Sequence, residues 1–211
     1  MSFIRIDLDK YDRRRHYEYF SSLQYPYVGV TNNVDVSELV QFCKTRNYSF
    51  YLTFLHAAAL AADGVKELRH RIRDGGIVEY SECPTSHIEL LDNNTYCYCT
   101  LHHYMTMEEY IPYAAEARNR CRQKGSIDED DDSESMYFIS TLPWLHYTAM
   151  IQPVAGGEDS NPRITWGRFQ EDYRGKKQLP VTILAHHALV DGIHIAMFYQ
   201  NLEQQIKRIV N

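Results

Sequence analysis

The chain is organised around one stretch near its C-terminus, Ala185-His186-His187-Ala188-Leu189-Val190-Asp191-Gly192. A mostly apolar run, Val181 to Ala185, leads into it and predicts a buried strand, and an amphipathic helix begins after the glycine. The histidines therefore lie on a turn between a strand and a helix, where a side chain can reach a cleft while the scaffold behind it stays rigid. Because imidazole is suited to proton transfer near neutral pH, the stretch predicts a catalytic site.

A metal site is the alternative interpretation of these histidines. Neighbouring residues of a strand point to opposite faces, so His186 and His187 are poorly placed to bind one zinc ion together. A second set of zinc-ligand side chains comprises Cys97, Cys99, His102 and His103. Its spacing does not match the usual zinc patterns, and a sheet packed by tyrosines and thiols explains it better. The acidic run Asp128 to Glu134 lacks the glycine and the ligand spacing of a calcium loop and predicts a solvated loop. We therefore expect no metal site.

Length and composition limit the class of protein. With 211 residues, 44% of them hydrophobic, the chain is long enough for one sizeable core, and we expect a single domain over residues 1–211. The net charge of −6 disfavours a nucleic-acid binder, which usually presents a basic face. The odd count of 5 cysteines, without framework spacing, indicates free thiols in a reducing compartment. Ser2 to Arg15 is polar and charged, and no apolar run is long enough to span a membrane. We expect a cytoplasmic protein without nucleic-acid or membrane partners.

Hydrophobic periodicity predicts interleaved helices and strands. The predicted helices are Tyr11 to Leu23, Val36 to Arg46 with Asp35 as its N-cap, Phe50 to Ala62, Thr106 to about Cys121, and a C-terminal helix after Gly192. The predicted strands are Phe3 to Leu8, Tyr25 to Thr31, Gly76 to Tyr80, Ser86 to Leu91, Thr95 to His103, Met136 to Leu142, Tyr147 to Val154, Ile164 to Gln170 and Val181 to His187. The helix that follows Ser49 is nearly all apolar and is the candidate central helix.

Several of these strands are joined by turns too short for crossover connections. Gly76 to Tyr80 and Ser86 to Leu91 are expected to pair around a Cys83-Pro84 turn, and Ile164 to Gln170 is expected to pair with Val181 to His187. Short connections between some strands and helices between others predict an α/β fold of the two-layer α+β sandwich type. Its mixed β-sheet carries helices packed mainly on one face.

The histidine stretch resembles the active-site signature of the chloramphenicol acetyltransferase family. Further segments match the family in order and at compatible spacing: Arg13 to Glu18, Tyr48 to Tyr51, Glu67 to Arg69, and Ile139 to Trp144. The resemblance covers essentially the whole chain. It implies a fold similar to the catalytic core of dihydrolipoyl acyltransferases, and a homotrimer with active sites at the subunit interfaces. A coenzyme A tunnel and an acceptor tunnel would meet there at the histidine.

The resemblance implies a role for each matched catalytic residue. His187 is the general base that takes a proton from an acceptor hydroxyl, which attacks the acetyl-CoA thioester directly. Ser140 is placed to donate a hydrogen bond to the oxyanion of the tetrahedral intermediate. Asp191 pairs with Arg13 and holds the catalytic loop. Thr165 helps to organise water and the intermediate. Acetyl-CoA is then a co-substrate, and no tightly bound cofactor is implied.

The same resemblance assigns residues to the two ligands. Positions associated with coenzyme A are occupied by Tyr51, Trp144, Arg168 and Phe169. Positions lining the acceptor pocket are occupied by Phe20, Gln24, Tyr96 and Phe138. For the aromatic residues, plain packing is an alternative interpretation. Phe138 replaces a polar residue of the family and Gln24 replaces an apolar one, so these departures leave acyl transfer intact but bear on the identity of the acceptor.

Three functions follow from these residues. The first is acetyl-CoA-dependent O-acetylation of chloramphenicol, which inactivates the antibiotic. The second is acetylation of another small hydroxyl compound. The third is a non-catalytic trimeric ligand-binding homologue, which the departures at Phe138 and Gln24 motivate. A core acting on lipoyl groups is disfavoured, because such cores normally follow lipoyl-carrying domains on linkers, and none is recognisable in this sequence.

Overall fold

The computed structural model of the protein describes residues 1–128 and 132–211. The α-helices are α1 (Arg14–Ser21), α2 (Ser37–Arg46), α3 (Phe50–Asp63), α4 (Met107–Lys124) and α5 (Gly192–Val210). The strands are β1 (Phe3–Arg5), β2 (Tyr27–Asp35), β3 (His70–Arg73), β4 (Gly76–Tyr80), β5 (Thr85–Leu90), β6 (Tyr96–Leu101), β7 (Tyr137–Thr141), β8 (Arg163–Trp166), β9 (Gln170–Glu171) and β10 (Lys177–His186). Short 3-10 turns cover Leu8–Lys10, Lys66–Arg69 and Ser133–Ser135. The predicted acidic loop falls partly on residues 129–131, which lie outside the described residues.

The strands form one large and one small sheet. The large sheet has the order β2-β10-β8-β7-β5-β6, with β9 attached to β10, and the small sheet has the order β1-β4-β3. Strand β7 runs parallel to both β5 and β8, whereas the other pairs of the large sheet are antiparallel. A mixed sheet covered by helices on one face confirms the predicted fold class.

The central helix α3 is buried because its sequence offers apolar and small side chains on all sides. The Ser49 hydroxyl accepts the Leu52 N–H at 3.4 Å, which caps the helix as the sequence predicts. The buried alanines of α3 allow α4 and α5 to pack closely against it. The sheet meets this layer through Ile139, Ile164 and Ile183, which are direct register partners on β7, β8 and β10 and are all at most 2% exposed.

The opposite face of the large sheet, called here the outer face, carries hydroxyl groups. Ser140, Thr165 and Thr182 are register partners one position along from the isoleucines, so their side chains point away from the helices. Residues 147–154 lie over this face. The Tyr147 hydroxyl donates to the Thr165 carbonyl at 2.9 Å, and the Thr182 hydroxyl donates to Tyr147 at 3.2 Å.

Residues 147–154 are irregular, so the strand predicted there is wrong. The alternation of side chains is real, since Gln152 is 7% exposed while Ile151 is 89% exposed. It arises because the segment crosses the outer face. Strands β7, β8 and β10 beneath it already have two neighbours each and offer no free edge for a further strand. The chain just after this segment is held by the Tyr27 hydroxyl, which lies 2.7 Å from the Asp159 carbonyl oxygen and also donates to Gly156.

The predicted hairpin between residues 76–80 and 86–91 is also wrong. Both strands exist, but β4 pairs with β1 and β3, and β5 pairs with β6 and β7. Proline favours an extended conformation in the residue before it, so Cys83-Pro84 carries the chain from one sheet to the other instead of reversing it. The pairing predicted between β8 and β10 is confirmed.

Two helix boundaries differ from the predictions. Helix α1 is shorter than residues 11–23, and β2 extends to Asp35, so that α2 begins at Ser37. Asp35 still accepts the Ser37 N–H at 2.9 Å, one residue before the N-cap position. The capping box at α4 is present, because the Glu109 carboxylate accepts the Thr106 N–H at 2.9 Å and Thr106 caps in return. No helix within the described ranges combines the length and the apolarity that crossing a bilayer requires.

Candidate active site

The two-histidine turn is a rigid connection between β10 and α5. The His187 N–H donates to the Pro26 carbonyl at 2.7 Å, and the Leu189 and Val190 N–H groups both donate to the His186 carbonyl at 3.0 Å. The His186 ring is used structurally, because its Nε2 lies 2.7 Å from the Gly157 carbonyl oxygen. The turn therefore fixes the backbone from which the His187 side chain projects.

The His187 ring has its two nitrogens in different surroundings. Nδ1 lies 3.0 Å from the Val190 carbonyl oxygen and 3.1 Å from Asp191 Oδ1. Since both neighbours are acceptors, the proton of the neutral ring belongs on Nδ1, and the lone pair of Nε2 is left available. No described residue hydrogen-bonds to Nε2. The ring stacks on Phe20 of α1 at a centroid distance of 3.8 Å and an interplanar angle of 15°. This geometry suits a general base.

Asp191 is held by an ion pair with Arg13, the residue before α1. Arg13 Nη2 also lies 3.4 Å from the His187 carbonyl oxygen. The two side chains are only 16% and 28% exposed, so their attraction is weakly screened. The pair fixes the Asp191 carboxylate in front of His187 Nδ1, and it ties α1 to the two-histidine turn.

His194 supports the same turn, and sequence reasoning missed it. Its Nδ1 accepts the Asp191 N–H at 2.9 Å, and its Nε2 lies 3.7 Å from Glu67 Oε1. Burial lowers the pKa of His194, which favours the neutral ring that can accept this hydrogen bond. Its position three residues after Asp191, at the third position of a helix, is the signal that would have found it.

The other assigned catalytic residues lie on the outer face. Ser140 lines a cavity of about 270 Å³ together with Phe138, Met150 and Gln152. Thr165, beside Ser140 in the register, is fully buried, and its hydroxyl has no hydrogen-bond partner among the described residues. An unpaired buried hydroxyl of this kind is a place for a bound water or ligand atom.

The structure does not bring His187 and Ser140 together within one chain. Thr182 of β10 lies in the same row as Ser140, two strands away, and His187 is five residues further along. Strand spacings of about 4.8 Å and rises of about 3.3 Å per residue place the two Cα atoms roughly 19 Å apart. We call His187, Asp191, Arg13 and Phe20 the histidine half, and Ser140, Thr165 and Phe138 the serine half.

The acceptor-pocket residues divide in the same way. Phe20 contacts the His187 ring, and Gln24 is exposed in the segment between α1 and β2. Phe138 lines the cavity beside Ser140, and Tyr96 lies on β6, the far edge of the sheet, where it is 46% exposed. The predicted acceptor pocket is therefore divided between the two halves, which a single chain does not bring together.

The residues assigned to coenzyme A gather around the end of β8 and the start of α3. Phe169 packs on Phe50 at 5.9 Å, and Tyr51 lies 5.8 Å from Trp166, ring centroid to ring centroid. Trp144 is 61% exposed, and Arg168 is exposed.

A close approach of two backbone segments shapes this region. The Arg168 N–H donates to the Leu145 carbonyl at 2.7 Å. A Cβ on Gly167 would lie 2.5 Å from the Leu145 carbonyl oxygen, so only glycine fits there. The glycine thus brings the loop that carries Trp144 against the end of β8.

A buried charge cluster lies between the large sheet and α4, at Glu89 of β5. Burial alone would raise the pKa of Glu89, but hydrogen bonds from His87 and Arg118 lower it to about 2. Arg122 adds a contact at 3.1 Å from its Nε to Glu89 Oε2. The carboxylate is satisfied within the chain, which indicates a structural role in joining α4 to the sheet. Within the described ranges, no group of three or more His, Cys, Asp or Glu is placed to hold a metal ion.

Comparison with known proteins gives consistent matches over the whole chain. The family model for chloramphenicol acetyltransferase matches residues 1–203. Chloramphenicol acetyltransferase 2 of Escherichia coli is 23% identical, with 100% of both chains covered. A chloramphenicol acetyltransferase of Proteus mirabilis is 24% identical over 94% of this chain and 92% of its own.

Solved structures share the fold. A chloramphenicol acetyltransferase superposes with a TM-score of 0.85 at 22% identity, covering 97% of this chain and 100% of that one. A dihydrolipoamide acetyltransferase of Azotobacter vinelandii gives a TM-score of 0.68 at 15% identity, covering 93% of this chain and 88% of that one.

Proposed function

The chain belongs to the chloramphenicol acetyltransferase family, and we propose that it transfers the acetyl group of acetyl-CoA to a small hydroxyl acceptor, with chloramphenicol as the first candidate. The observation that carries this proposal is the His187 ring, whose Nδ1 faces two acceptors and whose Nε2 is left available. Acetylation of chloramphenicol would make the protein an antibiotic-resistance enzyme.

The proposed reaction needs one proton transfer in each direction. His187 Nε2 takes the proton of the acceptor hydroxyl as its oxygen attacks the thioester carbonyl carbon. The resulting oxyanion accepts a hydrogen bond from the Ser140 hydroxyl. When the C–S bond breaks, the departing thiolate recovers the proton from the imidazolium, and the acetyl ester is released. The carboxylate of Asp191, held by Arg13, keeps Nδ1–H and the ring in place throughout.

We propose that the active site forms between two copies of the chain within a homotrimer. The separation of the histidine half and the serine half supports this, because His187 and Ser140 lie too far apart in one chain to act together on one substrate unless two copies supply them. Large apolar side chains are exposed on β5, β6 and the segment across the outer face, and such surfaces commonly mark subunit contacts. They are Ile88, Leu90, Tyr96 and Ile151.

Acetyl-CoA would bind where Tyr51, Trp144, Arg168 and Phe169 gather. The exposed Trp144 offers a face for stacking, and the exposed Arg168 offers a cation for phosphate. All five cysteines are free, which suits a reducing compartment, and a cytoplasmic location is part of the proposal.

The test is release of free thiol from acetyl-CoA in the presence of chloramphenicol. We expect His187→Ala to lower the rate by about two to four orders of magnitude, because general-base catalysis is lost. His16→Ala is the matched control, since His16 is exposed on α1. A rate unchanged by His187→Ala refutes the proposal.

Thiol release with a series of acceptors identifies the acceptor, and thiol release together with binding calorimetry tests the non-catalytic alternative. Turnover with other hydroxyl compounds but not chloramphenicol would identify a different acceptor. Binding of acetyl-CoA by calorimetry without turnover of any acceptor would favour the ligand-binding homologue, which the altered residues Phe138 and Gln24 motivate.

A further inference from the structure

The cavity beside Ser140 is lined by a glutamine whose amide nitrogen is unpaired. Its lining is largely apolar, with Phe138, Met150 and Pro153 among its residues. Its volume of about 270 Å³ is close to the lower end of the roughly 300–1,000 Å³ usual for small-molecule sites. Gln152 also lines the cavity and is 7% exposed.

The Gln152 amide nitrogen has no partner in the described chain. Its Nε2 is buried and makes no hydrogen bond to a described residue. Buried amides are normally paired, and an unpaired one is strongly unfavourable. The irregular segment places Gln152 inward while its neighbour Ile151 is 89% exposed, so the inward position results from the path of the chain across the outer face.

The charged residue that lines the same cavity is already engaged. Arg163 is ion-paired with Asp159, and its Nη1 donates to the Asn161 carbonyl at 3.0 Å. Its guanidinium also lies over the Phe138 ring at 5.2 Å. A ligand in this cavity therefore meets largely apolar surface, the hydroxyl-bearing residues Ser86, Tyr98 and Ser140, and the uncharged amide of Gln152. No described cation there is left to bind a ligand anion.

We propose that Gln152 selects the acceptor, by hydrogen bonding an uncharged polar group on an otherwise apolar alcohol. The inference rests on the proposed acetyl transfer and names the class of its acceptor: small alcohols with a carbonyl-type or amide group at the end away from the reacting hydroxyl. An amide side chain can present either its oxygen or its NH₂ after a flip about its last bond, so it accommodates either kind of polar group. A site built around such a group discriminates against an isostere that leaves it unpaired.

Two alcohols of nearly equal shape test this selection. They are para-hydroxymethylbenzamide and para-isopropylbenzyl alcohol, in which a carboxamide is replaced by an isopropyl group. With acetyl-CoA and the intact protein, we expect kcat/KM to favour the benzamide by about tenfold to a hundredfold. Gln152→Met, which keeps the length of the side chain but removes the amide, should bring the ratio to about one or below.

Controls make the result specific to Gln152. Gln152→Leu also removes the amide but leaves a branched, shorter side chain, so it should lower the ratio in the same way. Gln204→Leu changes an exposed glutamine on α5 and should leave the wild-type ratio unchanged. A wild-type enzyme without preference, or a ratio that survives both Gln152 variants, overturns the proposal.

A binding measurement separates this proposal from the proposed function. Dissociation constants of both alcohols are measured by titration calorimetry on His187→Ala, with and without Gln152→Met. A preference for the benzamide that Gln152→Met abolishes supports the role of Gln152 even if no acetyl transfer is found. Equal dissociation constants for the two alcohols overturn it even if the enzyme is active.

Discussion

Two inactive variants of this protein should restore each other's activity. In His187→Ala the serine half is intact, and in Ser140→Ala the histidine half is intact. Strand geometry places the Cα atoms of His187 and Ser140 roughly 19 Å apart in one chain, too far for both residues to act on one substrate. If each site takes its histidine half from one copy and its serine half from another, a mixed oligomer contains some sites in which both halves are unchanged.

The expected recovery follows from counting. In oligomers assembled at random from equal amounts of the two variants, half of the histidine halves and half of the serine halves are intact, so about a quarter of the sites are complete. Loss of one oxyanion donor lowers the rate by about two to three orders of magnitude. The mixture should thus show about 25% of wild-type activity against a background of about 1% or less.

The assay is thiol release after the two variants, carrying different affinity tags, are unfolded and refolded together. Sequential purification on both tags isolates mixed oligomers. In a mixed trimer one of the three sites is complete, so the purified fraction should show about a third of wild-type activity, against about 25% for the unfractionated mixture. Each variant refolded alone gives the background. Mixed oligomers with no more activity than the two backgrounds would refute the interfacial site, because they would show that the two residues act within one chain.

Three further outcomes are expected. Since the pKa of Glu89 is about 2 in the folded chain against an ordinary 4.5, its charge stabilises the fold above about pH 4.5, and this contribution is lost as pH falls toward 2. Glu89→Gln should lower the free energy of unfolding in urea by about 3 kcal/mol at pH 7 and by about 1 kcal/mol near pH 3; an equal loss at both pH values would contradict this origin. Gly167→Ala places a Cβ against the Leu145 carbonyl oxygen and should lower the free energy of unfolding by about 1–3 kcal/mol and raise KM for acetyl-CoA; an unchanged KM would show that this loop does not contact acetyl-CoA. Arg13→Met leaves Asp191 without its ion-pair partner. It should lower the free energy of unfolding by about 1–3 kcal/mol, because the pair is only partly buried, and should lower both the thermal midpoint and kcat. A normal kcat would show that the ion pair is not needed for catalysis.

The large elements of the fold were predictable because each has a local cause. The apolar run of β10, the turn after it and the stripe of α5 are all visible in the residue order, and Ser49 marks the start of α3. The irregular conformation of residues 147–154 was not predictable from the sequence. Apolar and polar side chains alternate in a segment that lies across a sheet, just as they do in a strand within one. The predicted pairing of β4 with β5 was wrong, because two strands that are close along the chain need not belong to the same sheet.

The candidate site was predictable only residue by residue. Resemblance supplied the individual positions, and their roles stay predictions. The separation into two halves depends on the order of strands in the sheet, which spacing along the chain does not contain. Gln152 gives no signal in the sequence, because an inward-facing glutamine becomes unusual only when its surroundings are known.

The segment across the outer face is tied at its start by Tyr147, and the chain just after it is tied by Tyr27. Between these anchors it contributes no ladder hydrogen bonds and little to the helix-packed core, yet it forms one wall of the cavity beside Ser140. Substitutions there can remodel the shape of that wall while the two-histidine turn, fastened to α1 and α5, keeps its geometry. Under the proposed acetyl transfer, a lineage carrying this fold would be free to exchange one alcohol for another through mutations in a short loop, without first acquiring compensating changes in the scaffold.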